Sequence, residues 1–552
     1  MIGINIGSQS TKFSASEELP NKEIYSVKDF KLNINLNDIL DRFIPSIIQF
    51  KETNRLFGQS TQLGYKKYCL STFNNLSRLI GFVYELEINN KEMEYFITLD
   101  NYVQQLGNFF FTLNEKEHKF VGDYCVCAFL SKLNKKIKMK LNTQENPKYI
   151  FSVPDYYTYY QKESLRQILE ALNLRNNLPF INESTAITMY YGYLNYIDLT
   201  DQKKYIIFID IGHSKTSFIL SRFTKNEFVV RYVENILFLG GRDFNNIIFN
   251  KCLEIFKEKN GYELKVKGRN KIRLMEEIEK ARKNLSINTE TEINVDALDN
   301  DIDFNYYITR EEFETLIKDK LDLFKKRFES FFNEVKRILK NKNSIYKIEM
   351  GGQLMRTPIL QKIINEITGI SISKTISCDE CHSLGVLLYG TFILEKRKFQ
   401  QLEFVNSYNM YSMKFYKNNE MIRKISKGDN IPNEFKIQIY QSPNDMSFIF
   451  SYDEKDHEYV KKDEIEQLCY LKINDNEIND YLDNIQKENY AKKYLIFKIN
   501  ESGALSLYLE VKKNKNEQDI KKLKFEDKGI FSKKNHDNIV EHYIKFEKEF
   551  MQ

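Results

Sequence analysis

Asp210-Ile211-Gly212-His213-Ser214-Lys215-Thr216-Ser217-Phe218 is the stretch whose reading sets the fold class of this 552-residue chain. It closes an apolar run, Tyr205-Ile206-Ile207-Phe208-Ile209, and opens another, Phe218-Ile219-Leu220. Short apolar runs rich in β-branched and aromatic residues, parted by a glycine turn, predict strand, tight loop, strand. The N-terminal Asn5-Ile6-Gly7-Ser8-Gln9-Ser10-Thr11-Lys12-Phe13 can be laid over it, with Ile, Gly, Thr and Phe coinciding. Two such units so far apart point to a duplicated domain with a cleft between its halves. Chance likeness between short apolar strands is the competing reading.

Between and beyond the two copies, strands alternate with helical periodicity. Gln161 to Ala171 and Glu183 to Tyr193 read as helices, and Asn270 to Leu285 is amphipathic, with Leu274, Met275, Ile278, Ala281 and Leu285 on its apolar face. That alternation predicts an α/β protein. On another face of the last helix stand Glu279, Arg282, Lys283 and Ser286, three, four and seven apart, either a solvated surface or a row facing a ligand. After Leu394 the texture changes. A charged break, Glu395-Lys396-Arg397-Lys398, is followed by strand-like runs (MYSMKFY, FKIQIY, MSFIFSY, KYLIFKI, LSLYLEVK) separated by turn signals. This predicts an antiparallel β domain over 402–511. Residues 512–552 read as a Lys-rich tail over Lys512 to Lys534, then one short helix over Asp537 to Met551.

Composition narrows the function classes. Lys+Arg 82 against Asp+Glu 77 leave only +5, so no global field points to a nucleic-acid or membrane partner. No apolar run approaches the ~20 residues of a membrane span. The start, Met1 to Ser10, turns polar too soon for a secretory signal. Seven cysteines, an odd and thin count, read as reduced thiols of a cytoplasmic protein. Cys378-Asp379-Glu380-Cys381-His382 looks metal-like, but no second pair has matching spacing, so ordinary thiols are expected. Glycines carry more. Gly7 and Gly212 follow strands, and Gly240-Gly241 and Gly351-Gly352 are doublets after apolar runs. Glycine loops let backbone N–H groups approach phosphate oxygens, and four of them suggest a nucleotide cleft.

The ordered series Gly3 to Ser10 (GINIGSQS), Ile181 to Ala186 (INESTA), Asp210 to Ser214, Leu239 to Phe244 (LGGRDF), Glu279 to Ser286 (EKARKNLS) and Gly351 to Pro358 (GGQLMRTP) resembles the 70-kDa heat-shock chaperone superfamily. Arg42-Phe43-Ile44-Pro45-Ser46, Arg55-Leu56-Phe57-Gly58, Phe151-Ser152-Val153-Pro154 and Asp379-Glu380 match further landmarks. The resemblance runs from residue 1 to about 394. It implies an actin-like, hexokinase-like ATP-binding domain, with lobe I about 1–193 and 372–394 and lobe II about 194–371. The second phosphate loop, with His213-Ser214 in place of a glycine pair, resembles the 110-kDa heat-shock branch, as does Gly240-Gly241-Arg242-Asp243-Phe244. Such proteins act chiefly as nucleotide exchange factors for 70-kDa chaperones and as holdases for unfolded polypeptides.

The resemblance assigns residues. Gly7, Ser8 and Gln9 with Gly212, His213 and Ser214 would form the phosphate loops for ATP or ADP with Mg2+. Asp210 would lie near the ion, reaching it through water, and Glu183 near the hydrolytic water. Gly240 and Gly241 would approach phosphates and ribose. Glu279, Arg282, Lys283 and Ser286 would line the adenosine pocket, with Gly351, Gly352 and Arg356 closing its other side. Departures from the pattern imply impaired hydrolysis. Asn5 replaces an acidic residue, Ser8-Gln9 a hydroxyl pair, Ser77 the catalytic lysine, Lys215 a threonine (its ammonium partly replacing the charge lost at Ser77), and Ser184 the proline of the allosteric switch. The acidic, leucine-rich linker is absent from Lys398 to Phe404, so the β domain, resembling a substrate-binding sandwich, is expected to be fixed. The expected function is a shortened co-chaperone. An ATP-hydrolysing chaperone and a holdase or scaffold without nucleotide are the alternatives.

Overall fold

The computed structural model describes residues 1–15, 24–25, 43–51, 55–61, 71–81, 102–103, 108–113, 116–120, 122–174, 180–264, 268–299, 301–340, 345–439, 447–453, 469–472, 492–501, 503, 505–514 and 517–523. Its N-terminal part is built on two sheets that face one another across a cleft. In the first, five strands run in the order Ile181–Asn182, Tyr149–Val153, Ile2–Ile6, Ser10–Ala15, Ile44–Pro45. Ile2–Ile6 lies parallel to Tyr149–Val153 and is buried along its length, which is why it reads as an unbroken apolar run. The second sheet has seven strands, ordered Ile372–Ser373, Ile345–Gly351, Lys204–Ile211, Lys215–Phe223, Glu227–Leu237, Phe404–Tyr408, Asn430–Ile431. The chain is thus a mixed α/β protein whose two sheets fit an actin-like, two-lobed ATPase fold.

The duplication seen in the sequence recurs as equal registers. Across the first loop Asn5 pairs with Lys12 and Ile6 with Thr11. Across the second, Asp210 pairs with Ser217 and Ile211 with Thr216. The parallel neighbours correspond too, Ser152 beside Asn5 and Gly351 beside Asp210. Each sheet therefore delivers a polar residue and a glycine loop at the same height of the cleft.

Helices cover both sheets. Glu183–Leu194 and Cys381–Tyr389 cross in backbone contact, because a Cβ at Gly385 would lie 1.8 Å from the Ala186 carbonyl oxygen. Only glycine permits that approach, and it places Glu183 and His382 at one end of the crossing. In lobe II, Lys318–Leu339 lays Phe324, Phe328 and Phe331, one helical face, around Phe218 at ring distances of 5.6, 5.2 and 5.4 Å. The amphipathic helix spans Gly268–Asn284 and buries Leu274, Ile278 and Ala281 as its periodicity predicts.

The strand-like runs after Leu394 form two four-stranded antiparallel sheets. One contains Glu420–Ile425, Met413–Lys417, Ser447–Tyr452 and Cys469–Lys472, the other Asn433–Ile439, Lys492–Ile499, Leu505–Asn514 and Glu517–Leu523. Phe415 and Phe450 of the first meet Phe435 and Phe497 of the second, with rings 5.0 Å apart for Phe415–Phe435 and 5.6 Å for Phe450–Phe497. Here the sequence reading needs correction. The β region does not end at Val511, since the strand continues to Asn514 and pairs with Glu517–Leu523. Lysines at 521 and 522 sit on an edge strand, where charge guards against unwanted pairing, so a Lys-rich run does not by itself mean a tail. The helix expected over Asp537 to Met551 lies outside the described residues. The join between the N-terminal part and these sheets is itself β-structured: Lys398–Phe399 pairs with Ile24–Tyr25, and Phe404–Tyr408 lies parallel to Glu227–Leu237.

Candidate functional site

The cleft is lined by the two hairpin loops (Asn5 to Ser10 and Gly212 to Lys215), by Ser77, Tyr156, Glu183, Asp210 and His382, and by Gly241, Arg282 and Gly352. The strands stop at the cleft because Gly7 and Gly212 turn the chain, and the Gly212 N–H closes its loop on the Lys215 carbonyl at 3.0 Å. Gly352 has φ +69°, and a Cβ there would sit 2.2 Å from the Ile211 carbonyl oxygen and 2.7 Å from Asp210 Oδ1. Glycine is required for this loop to lie against the hairpin loop of Gly212 to Lys215.

Charge concentrates where Lys215 enters. Its Nζ is 2.8 Å from Glu183 Oε2 and 3.9 Å from Asp210 Oδ2, and donates to Ser217 Oγ at 2.7 Å. Glu183 begins its helix, where backbone N–H groups favour an anion. Burial alone would raise the Glu183 carboxyl, but the Lys215 ammonium, His382 and the hydrogen bonds from Lys215 and Asn5 hold it down at about 2. For Lys215, burial works against the charge, and Glu183, Asp210 and Asp155 overcome it and raise the ammonium well above its usual range. Asn5 donates through Nδ2 to Glu183 Oε1 at 2.8 Å and to Ser152 Oγ at 2.9 Å. Asp210 also faces His382, whose Nε2 lies 3.5 Å from Oδ2. The Ser184 N–H donates to Asp155 Oδ2 at 3.1 Å, a bond that a proline at this position could not make.

Protein side chains also bridge the cleft. Ser8 Oγ bonds Ser214 Oγ at 2.9 Å. Arg78 donates to Tyr156 Oη at 2.6 Å within its own lobe, and its Nη2 reaches across to the Ser214 carbonyl and Oγ at 3.1 Å each. Gln9 Nε2 donates to Glu279 Oε1 at 2.6 Å. Ser77 lines the cleft beside Arg78, with a hydroxyl where the resemblance expects an ammonium.

Other assigned residues lie around this centre. Gly241 stands under Arg282, 3.2 Å from Nη2 to a would-be Cβ, and Arg282 Nε is held by Asn245 Oδ1 at 2.6 Å. Lys283 pairs with Glu279 at 2.5 Å. Burial would raise Glu279, but His213, Lys283 and Arg282 bring it to about 2. Burial lowers His213 to about 3; Glu279 opposes this, while Arg242, Arg282 and Lys283 add to it. His213 is therefore a neutral ring near neutral pH. Gly240 packs under the second loop, where a Cβ would be 2.5 Å from the His213 carbonyl oxygen. Gly351 abuts Asp210, the Ser286 hydroxyl turns to the Arg282 carbonyl at 3.5 Å, and exposed Arg356 reaches Asp379 at 3.4 Å. Gly240, Gly351, Glu279, Lys283, Ser286 and Arg356 are thus placed beside the cleft, not on its walls. Sequence reasoning missed His382 and Lys12 on the cleft walls, Arg78, which bonds Ser214, and buried Asp155, which accepts from Ser184 behind them. Arg78 and His382 were in view, one beside Ser77 and the other inside a pattern read as metal-like, but a linear motif does not say which way a side chain faces.

The family described as "Hsp70 protein" matches residues 24–549. The chain belongs to the Hsp70 family. It is 26% identical over 385 residues to a heat shock protein homolog of Saccharomyces cerevisiae, covering 68% of this chain and 54% of that relative. It is 26% identical over 367 residues to a heat shock protein homolog of Lachancea kluyveri, covering 64% and 51%, and over 358 residues to human heat shock 70 kDa protein 4, covering 64% and 42%. The chain thus spans about half the length of the curated relatives it matches. These relatives are of the 110-kDa heat-shock type.

The Hsp70 family in general binds ATP or ADP with Mg2+. In this member the cleft's glycine loops suit phosphate, but its donor set does not suit the ion. Mg2+ demands near-octahedral oxygen coordination. Here Lys215 lies against Glu183 and within ion-pair range of Asp210, and Asn5 turns an N–H toward Glu183. Among the described residues no group of three His, Cys, Asp or Glu side chains is arranged to hold a metal.

Proposed function

We propose that this Hsp70-family protein is a shortened co-chaperone of the 110-kDa heat-shock type. It binds a 70-kDa heat-shock chaperone, speeds release of its ADP, holds unfolded polypeptides, and hydrolyses little or no ATP itself. The observation that carries this reading is the bridging of the cleft by Ser8, Arg78 and Gln9 to Ser214 and Glu279, with Lys215 clamped on Glu183. A hydrolytic cycle needs an open route for water, a cation and a positive group at the transferred phosphate. In this cleft Ser77 supplies only a hydroxyl and Glu183 is neutralised by an ion pair. Lobes held together this way suit a rigid surface for a partner better than a motor.

The rest of the reading follows from the same frame. ATP or ADP would add to the side-chain bridges in the cleft, with Gly7, Ser8, Gln9, Gly212, His213 and Ser214 around its phosphates and Glu279, Arg282, Lys283 and Ser286 on the adenosine side. Residues 1–394 would be the nucleotide-binding domain, and the two β sheets beyond them a substrate-binding sandwich, fixed to lobe II through Phe404–Tyr408. The compartment we assign is the cytosol. No helix among the described residues is long and apolar enough to cross a membrane.

The test uses a 70-kDa chaperone preloaded with fluorescent ADP and mixed with excess unlabelled nucleotide. Addition of this protein at stoichiometric concentration is expected to raise the release rate at least tenfold, and an unchanged rate refutes the proposal. A second reading, a holdase that needs no nucleotide, draws on the same bridges, since they join the two sides of the cleft through protein side chains. Calorimetry with ATP separates the two, because clear binding excludes the second.

A further inference from the structure

We propose that Lys215 is a built-in replacement for a divalent cation, so that this cleft takes a nucleoside di- or triphosphate free of metal. The inference rests on the nucleotide-binding reading above. Three observations carry it. The first is position: Lys215 Nζ stands 2.8 Å from Glu183 and 3.9 Å from Asp210, between the two carboxylates that a cation and its waters would need to face. A doubly charged ion brought there would meet an ammonium that both carboxylates already satisfy, in a buried setting where like charges repel strongly.

The second is chemistry. At Asn5 the cleft presents an amide, and its N–H points at Glu183 Oε1, 2.8 Å away, while its other donor contact is Ser152 Oγ. With both N–H groups spent on these two oxygens, Asn5 brings the site no negative charge where an acidic residue would, so less charge is left to balance a divalent ion. His382 crowds the same Asp210 oxygen as Lys215, with its Nε2 3.5 Å from Oδ2. The third is the charge left for phosphate. Lys12, which the strand register sets opposite Asn5, lines the same cleft with Lys215 and Arg282, three basic side chains against the carboxylates of Glu183 and Asp210. An ammonium serves phosphate oxygens as a point charge with three donors, and the glycine loops provide N–H groups beside it. The work that magnesium does in bridging phosphates to acidic walls thus passes to Lys215, which is attached to the protein and cannot be chelated away.

The experiment is calorimetric titration of the full chain with ATP and with ADP, once in excess EDTA and once in excess Mg2+. The expected result is dissociation constants that agree within threefold between the two buffers. Binding at least tenfold tighter with Mg2+ overturns the inference and leaves the nucleotide reading standing. Absence of binding in both buffers overturns the nucleotide reading, and this inference with it. Lys215→Thr is expected to lose at least tenfold in EDTA and to recover with Mg2+, whereas Lys215→Arg keeps metal-free binding; an unchanged affinity of Lys215→Thr in EDTA also overturns the inference. The two-buffer comparison on the unmodified protein decides the matter even where a variant does not fold.

Discussion

Replacing Lys215 by methionine keeps the length of the side chain and removes its charge, which isolates what the ammonium does for the fold. Its partners are buried, with the Lys215 and Glu183 side chains only 12% and 8% exposed. Removing one member of such a pair typically costs about 3–5 kcal/mol, because the other charge is left uncompensated. Glu183 can escape by taking up a proton. Its folded-state pKa, held at about 2 with Lys215 present, then rises above its ordinary 4.5. A carboxyl whose folded pKa is raised contributes stability at low pH that is lost as pH rises. Lys215→Met should therefore be less stable than the parent by about 3–4 kcal/mol at pH 7, and the gap should narrow by up to ~2.7 kcal/mol at pH 5, at ~1.36 kcal/mol per pH unit for one proton. Glu183→Gln introduced on top of Lys215→Met should recover about 2 kcal/mol, since the uncompensated charge is then gone. Urea unfolding at the two pH values, followed by circular dichroism, reads all of these. A Lys215→Met protein within about 1 kcal/mol of the parent at pH 7, or equally destabilised at both pH values, would refute the picture of a buried carboxylate neutralised by Lys215.

Two further outcomes test the frame and its titration. Gly385→Ala places a methyl group where a Cβ lies 1.8 Å from the Ala186 carbonyl oxygen, so the two crossing helices must part; a loss of about 3 kcal/mol or more is expected, read as a lower melting temperature or reduced soluble yield. Asp123 is buried, with Oδ1 accepting from the Gly81 N–H at 2.8 Å, and burial raises its carboxyl from 3.8 to about 6 against the hydrogen bonds from Ser164 and Gly81. Its contribution is fully present below pH ~3.8 and is lost as pH rises through about 6, a change of up to ~3 kcal/mol. Asp123→Asn should flatten that part of the stability profile, and an unaltered profile shows that another group titrates there.

The frame was legible because its elements are long and strongly patterned. The run ending at Ile209 could only be a buried strand, and the likeness of Asn5 to Phe13 with Asp210 to Phe218 reappears as equal pairing registers. Helical spacing of Leu274, Ile278 and Ala281 also carried through to burial. The edge strand Glu517–Leu523 escaped notice because lysines on a charged edge look like lysines in solvent. Within the cleft, the loops could be read from glycines and motif order, whereas the bridges could not. Arg78 meets Ser214, and His382 meets Asp210, only because separate elements converge, and nothing in a local window reports that convergence. Lys215 was visible as a substitution, yet its service to Glu183 and Asp210 at once became apparent only from the distances.

Phe404–Tyr408 bonds on one side to Glu227–Leu237 and on the other to Asn430–Ile431, so one continuous ladder runs from the wall of the N-terminal cleft into the C-terminal half. Pulling the halves apart would break main-chain bonds inside a sheet rather than peel one surface from another. Heat and force should therefore meet them as a single cooperative unit. A hinge at this junction would first have to unzip a strand.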